Sequence, residues 1–150
     1  MKAVIQRVCS AEVVINDEQT AKIDHGLLVL VSVEAQDNTS DVEWLSQKIV
    51  NMRIFDDKAG IMNLSPLDIS AQLLVVSNFT LHASTKKGNR PTYQLAAKKE
   101  FSKPMYESFV AYLTKTYSLD VKTGVFGADM KIGLTNDGPV TIIIDSKQRF

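Results

Sequence analysis

The chain has 150 residues, of which 45% are hydrophobic and 23% charged, which suits one globular domain. Its 17 basic residues balance 17 acidic ones, so it lacks the overall positive charge of a non-specific nucleic-acid binder, and any RNA contact must be local. The apolar runs are too short to cross a membrane, no secretory signal opens the chain, and the lone Cys9 has no disulfide partner. We therefore expect one cytoplasmic domain, 1–150, without a membrane contact, metal or cofactor.

The first half of the chain is predicted to begin with consecutive strands. Segments rich in Val, Ile and Leu, separated by turn residues, cover 2–8, 12–15, 21–23 and 27–34. Ser40 and Glu43 then form a capping box for a helix over roughly 41–50, whose apolar face includes Val42, Leu45 and Ile49. A hairpin of 53–55 and 61–64 follows.

The second half begins with a strongly apolar strand, 72–81, which ends in polar residues. Ser102 and Pro104 are predicted to open a second helix that ends near Tyr117. One face of this helix would carry Met105, Phe109, Tyr112 and Thr116. Strands at 121–123, 130–134 and 140–145 complete about nine strand segments. Because strands without intervening helices cannot make parallel crossovers, we expect an α+β fold with a largely antiparallel, barrel-like sheet and two main helices.

The end of the apolar strand is the first candidate site. Alternation along a strand predicts Ser77 and Phe79 on one face and Asn78 and Thr80 on the other. A bend there would free backbone N–H groups for an oxyanion, although Ser77 and Thr80 could equally satisfy local backbone groups. His82 would share the face of Thr80 as a base, but a partly exposed histidine without a catalytic role is the simpler interpretation.

Two further features could carry function. In the segment 136–141, Gly138 permits unusual backbone angles and Pro139 removes a donor, which fits either exposed carbonyl oxygens or an ordinary turn. The basic loop has Lys86, Lys87 and Arg90, which could contact nucleic-acid phosphates or be a solvated loop. Generic catalytic motifs are missing, so residue patterns alone leave the function open.

Taken in order, these segments resemble the D-aminoacyl-tRNA deacylases of the bacterial and eukaryotic type along the whole chain. Residues 77–81 (Ser-Asn-Phe-Thr-Leu) and 136–141 (Asn-Asp-Gly-Pro-Val-Thr) are similar to the two signature motifs of that family. The opening strand, the segment 51–55, the basic loop 87–91 and the stretch 123–130 are similar as well. The first motif departs from the family pattern, which usually has Gln at the position of Asn78; the shorter amide keeps a donor and an acceptor.

The resemblance implies a homodimer with two active sites at its interface. Each site would combine catalytic residues Ser77, Asn78, Phe79 and Thr80 of one subunit with a cis Gly138-Pro139 segment of the other. Rigid carbonyl oxygens of that segment would exclude an L side chain, admit a D side chain and let glycine pass. The resemblance also assigns Arg7 to holding Gly138-Pro139 and places Met130 and Asn136 among the substrate-binding residues.

Two mechanisms remain open for cleavage of the aminoacyl ester. Thr80 could attack the carbonyl and form an acyl-enzyme. Alternatively, the protein positions the ester, N–H groups near Phe79 and Thr80 stabilise the oxyanion, and the terminal ribose hydroxyl helps to activate water, which we favour because no triad is present. A non-catalytic RNA-binding or scaffolding protein and a general esterase are the alternative functions.

Overall fold

The computed structural model describes residues 1–148, which form eight strands, two α-helices and one short 3-10 helix. The elements are β1 (Lys2–Ile15), β2 (Glu18–Ile23), β3 (Gly26–Ser32), α1 (Thr39–Asn51), β4 (Phe55–Asp56), β5 (Met62–Leu64), β6 (Gln72–Ser77), the 3-10 helix Phe79–His82, α2 (Lys99–Tyr117), β7 (Val121–Thr123) and β8 (Lys131–Asp145). Two pairs of predicted segments are fused: 2–8 with 12–15 in β1, and 130–134 with 140–145 in β8. Where a gap between two strands was predicted, the strand continues and only its pairing register with the neighbouring strand shifts.

The main sheet is mixed, which corrects the expectation of a largely antiparallel sheet. Its strand order is β2-β1-β3-β6-β7, and β8 pairs with β1. The pairs that β1 makes are antiparallel, whereas β3–β6 and β6–β7 are parallel. The prediction overlooked that α1 lies between β3 and β6 and α2 between β6 and β7, so each helix belongs to a crossover connection.

The long strand β1 makes the sheet curve towards a barrel. Its first half pairs with β3 and its second half with β2, while β8 follows its other edge. Asn16 and Asp17 both have positive φ at the β1–β2 turn, as a two-residue hairpin with the normal strand twist requires. The barrel-like sheet is therefore confirmed, although its strand directions are mixed.

Both helices are close to their predicted places, but their ends and faces differ. Asn38 caps α1 and Asp41 completes the capping box, in place of Ser40 and Glu43. Helix α2 begins at Lys99, so Pro104 lies inside the helix. Its buried residues are Tyr106, Phe109 and Leu113, so Phe109 of the predicted face is confirmed, whereas Met105 and Tyr112 are half-buried and Thr116 is exposed.

Two apolar clusters stabilise the fold. The larger lies between the sheet and both helices and includes Leu45, Leu73 and Phe109; the smaller is built around Val13 and Leu74. Burial of such side chains is the main favourable contribution to folding, at roughly 25 cal/mol per Å² of apolar surface. Within residues 1–148, no helix is long and apolar enough to span a membrane.

Candidate active site

A cleft of about 370 Å³ opens at the carboxyl ends of the parallel strands β3 and β6. Ligands commonly bind at such strand ends, because the chain leaves the sheet there and exposes polar groups. The residues that line it are Val31, Ser32, Val33, Val76, Ser77, Asn78, Phe79, Ala97, Ser102, Tyr106, Phe126, Gly127, Ala128, Asp129, Met130 and Ile132. Three of the four predicted catalytic residues, Ser77, Asn78 and Phe79, are therefore on its wall, together with Met130.

The predicted alternation of residues 77–80 is wrong because the strand ends at Ser77 and the chain turns into the 3-10 helix Phe79–His82, which we call the site turn. Asn78 caps this turn. Its Oδ1 accepts hydrogen bonds from the backbone N–H of Thr80 at 3.2 Å and from the Thr80 hydroxyl at 2.5 Å. Helix geometry gives the N–H of Phe79, the first residue of the turn, no acceptor within the turn. Of the two N–H groups expected to bind an oxyanion, that of Thr80 is thus already bonded to the Asn78 side chain, and that of Phe79 is not.

His82 is not positioned to act as a base for Thr80. It is 1% exposed, which excludes the partly exposed histidine that the sequence suggested, and its Nδ1 lies 2.6 Å from Oγ of Ser32. The alternation argument failed here for the same reason as above, since a strand geometry was assumed for a turn.

The second signature segment forms a bulge in β8. Asn136 of β8 pairs with Val8, and the next paired residue, Thr141, lies opposite Gln6, so 137–140 project from the ladder. The Gly138-Pro139 peptide bond is cis, as the resemblance implied. Gly138 has a φ of +131°, and a Cβ there would lie 2.7 Å from Cγ2 of Val140, so glycine suits this position. Neither Gly138 nor Pro139 lines the cleft of its own chain.

Arg7 holds the base of this bulge. The side chain is buried, and its Nε donates to the backbone carbonyl of Asp137 at 3.2 Å and lies 3.1 Å from the Asp137 carboxylate. Its NH1 donates to the carbonyl of Ile54 at 2.6 Å and lies 3.4 Å from Oδ1 of Asp56. The guanidinium therefore links the bulge to the segment after α1.

Asn136 closes the bulge from the other side. Its Nδ2 donates to the carbonyl of Arg7 at 2.8 Å and to the carbonyl of Val140 at 3.0 Å. A single amide thus connects the start and the end of the bulge to β1. In this chain Asn136 is a scaffold of the bulge rather than part of the cleft wall.

The structure adds cleft residues that the sequence did not reveal. Tyr106 is buried, and its hydroxyl donates to the carbonyl of Val75 at 2.9 Å; burial raises the pKa of this phenol. Ser32 ends β3 and faces the same cleft. Ser32 could have been noticed as a polar residue inside the apolar segment 27–34. Tyr106 gave no such signal, because an aromatic residue in a helix usually belongs to the core. Among the described residues, no group of His, Cys, Asp and Glu could hold a metal ion.

The basic loop follows the site turn directly. Lys86, Lys87 and Arg90 are exposed, and a bridge between Ser84 and Thr92 closes the loop. Beside it, the Phe79 and Tyr93 rings meet edge to face with centroids 5.0 Å apart. The three basic residues therefore follow a cleft-lining segment closely in sequence, but they do not line the cleft themselves.

Sequence comparison connects this arrangement to known enzymes. A family described as D-Tyr-tRNA(Tyr) deacylase matches residues 4–145. Proteins called D-aminoacyl-tRNA deacylase from Flavobacterium psychrophilum and Bacteroides thetaiotaomicron are 57% and 52% identical to the chain over 149 residues, with 99% of both chains covered. The protein of that name from Thermosipho africanus is 51% identical over 150 residues and covers 100% of both chains.

Solved structures show the same fold. A structure titled c-Myc DNA Unwinding Element Binding Protein superposes with a TM-score of 0.92 at 40% identity and covers 97% of this chain and 98% of its own. A probable eukaryotic D-amino acid tRNA deacylase superposes with a TM-score of 0.82 at 14% identity over 95% and 97% of the two chains, a likeness of fold. The predicted family is confirmed: the chain belongs to the D-Tyr-tRNA(Tyr) deacylase family.

Proposed function

We propose that the protein hydrolyses the ester bond of D-aminoacyl-tRNA, and of glycine attached to tRNA, and thereby acts as a chirality proofreading enzyme of translation in the cytoplasm. Family membership supports an aminoacyl ester of tRNA as the substrate. The observation that carries the finer proposal is the separation of the two signature segments. Ser77–Phe79 line the cleft, whereas Gly138-Pro139 project from β8 elsewhere on the same chain.

A homodimer would bring the two segments together. Strand β8 pairs with β1 along one edge, and no other described strand covers its second edge. The strand also carries the exposed apolar side chains of Leu134 and Ile143. Long uncovered edges and exposed apolar side chains are typical of association surfaces. A partner's Gly138-Pro139 bulge, held by Arg7 and Asn136, would then enter the cleft and oppose an L side chain at the substrate α-carbon.

The chemistry of the site turn favours water as the nucleophile. The Thr80 hydroxyl donates to the amide oxygen of Asn78, which is too weak a base to remove its proton, and His82 is bound to Ser32. The N–H of Phe79 is available to stabilise the oxyanion that forms when water attacks the ester carbonyl. The ribose hydroxyl next to the ester would help to activate that water, since neither Asn78 nor His82 is placed to take a proton from the Thr80 hydroxyl.

The basic loop gives the tRNA a local point of attachment. Lys86, Lys87 and Arg90 are exposed cations on a protein of zero formal charge, so phosphate contacts would concentrate there. The name of the structure titled as a DNA unwinding element binding protein fits a nucleic-acid surface on this fold. A binding protein without catalysis is the second candidate that this surface supports.

Hydrolysis of D-tyrosyl-tRNA, L-tyrosyl-tRNA and glycyl-tRNA by the purified protein tests the proposal, with spontaneous deacylation as the baseline. We expect rapid loss of the D and glycyl esters while the L ester persists. Equal loss of all three would contradict exclusion by Gly138-Pro139. Tight binding of uncharged tRNA with baseline rates for all three would establish the binding protein instead, and cleavage of small esters without tRNA would indicate a general esterase.

A further inference from the structure

His82 is a buried histidine at the end of the site turn that the proposed chemistry does not use. Its Nδ1 is 2.6 Å from Oγ of Ser32, while its Nε2 is buried without a hydrogen-bond partner among residues 1–148. The carboxylate oxygen Oε2 of Glu34 lies 3.9 Å from Nε2, just outside hydrogen-bond distance. Burial of a half-satisfied imidazole is costly, so this arrangement calls for a reason beyond packing.

The surroundings define the direction of the hydrogen bond. The carboxylate of Glu34 favours a proton on Nε2, which leaves the lone pair of Nδ1 to accept from the Ser32 hydroxyl. Burial lowers the pKa of His82, and the positive charges of Lys2 and the N-terminal amine lower it further, against the effect of Asp37 and Asp145. The ring is therefore neutral near pH 7, and Ser32 is the donor.

Both ends of the site turn are fixed to the last two residues of β3. The N–H of Asn78, at the start, donates to the carbonyl of Val31 at 2.8 Å, and His82, at the end, accepts from Ser32. Between these anchors, Phe79 is 58% exposed and Thr80 is exposed as well. Phe79 contacts the Tyr93 ring and Leu81 is half-buried, but the hydrogen bonds that tie the turn to β3 are its two anchors.

We propose that His82, acting through Ser32, is a positioning residue that fixes the site turn against β3 and so aims the N–H of Phe79 into the cleft. The proposal rests on the proposed deacylase function for its catalytic consequence. A preorganised donor stabilises the oxyanion only while its position is held, and displacement of about 1 Å can cost about a hundredfold in rate. Ser32 is a wall residue of the cleft, so the anchor and the site share one side chain.

Four variants test this role. His82→Leu and Ser32→Ala each remove one partner, and the double variant removes both. His82→Asn keeps an acceptor oxygen where Nδ1 stands, because both atoms are bonded to Cγ. Ser46→Ala is the matched control, since Ser46 is fully buried and its hydroxyl has no hydrogen-bond partner among the described residues. Circular dichroism and thermal melting verify that each variant is folded at the assay temperature.

We expect His82→Leu and Ser32→Ala each to lower kcat on D-tyrosyl-tRNA about 10- to 100-fold, with KM changed less than about twofold. The double variant should be no slower than the slower single variant, because both remove the same hydrogen bond. His82→Asn should recover kcat to within about threefold of the wild type. Unchanged rates, multiplicative losses, a change confined to KM, or an Asn variant as slow as the Leu variant would each overturn the proposal.

Hydrogen exchange separates this proposal from the deacylase function. The N–H groups of Asn78 and Ala83 bond to Val31 and Thr80 at the two ends of the turn. The exchange rate of Ala83 should rise about tenfold in His82→Leu and Ser32→Ala and stay near the wild-type value in His82→Asn and Ser46→Ala. If the wild type does not hydrolyse the ester, the deacylase proposal fails while this measurement still decides whether His82 fixes the turn; unaltered exchange in all variants would refute the anchor.

Discussion

Replacement of Arg7 by Lys tests whether the Gly138-Pro139 bulge is held by a guanidinium fork. The Arg7 side chain is 7% exposed and reaches two carbonyls in different directions, Ile54 O and Asp137 O. A lysine ammonium keeps the charge but is a single point donor, so it can serve one of the two carbonyls and leaves the other unsatisfied. Loss of one hydrogen bond to a charged group costs about 2 kcal/mol, which lowers the melting temperature of a domain of this size by roughly 4–8 °C.

The functional consequence is separable from the loss of stability. A bulge that is no longer fixed should admit L-tyrosyl-tRNA, and we expect the ratio of D to L hydrolysis rates to fall at least about tenfold. Arg53→Lys is the control, because Arg53 is an exposed arginine one residue from Ile54 that bonds to Asn63 instead. Thermal melting and parallel assays of the two esters measure both effects. A lowered melting temperature with intact selectivity would refute the role of Arg7 in chiral exclusion.

Three other changes have defined outcomes. Thr80→Ala should leave turnover of D-tyrosyl-tRNA within about tenfold of the wild type, because the hydroxyl has no base; an acyl adduct on Thr80 in the mass spectrum of the wild-type protein would show the opposite. Lys86→Ala with Lys87→Ala should raise KM and flatten the slope of log affinity against log salt by about 1.5, whereas Lys115→Ala, an exposed control on α2, should change neither. Burial works against ionisation of Asp41, but hydrogen bonds from Lys147, Ser146 and the backbone of Asn38 hold its pKa below the ordinary 3.8. Its stabilisation is therefore present above that value and lost as the pH falls further, so the melting temperature of Asp41→Asn should be lower than that of the wild type at pH 7 and approach it in acid.

Local patterns in the sequence were sufficient for much of the fold. Helix α1 was predicted to within two residues at each end of its observed span, because its apolar side chains repeat at helical spacing next to a cap. The two signature segments were found from their residues alone, and the cis bond at Gly138-Pro139 and the contact of Arg7 with the bulge agree with what the family resemblance implied. The helix depends on residues near one another in the chain, and the other two features were implied by short sequence motifs that resemble those of the family.

Tertiary structure decided the strand order, the shape of the site turn and the partners of the buried polar groups. The helix predicted over 41–50 already allowed a parallel crossover between 27–34 and 72–81, but only the folded chain shows that this connection makes β3 and β6 neighbours in the sheet. The turn after Ser77 bonds to β3 through Asn78 and Val31, and His82 at its end is buried against Ser32; both contacts join residues about fifty positions apart, so no local pattern could reveal them. Periodicity reports which face of an element is buried, but only the folded chain determines what that face meets.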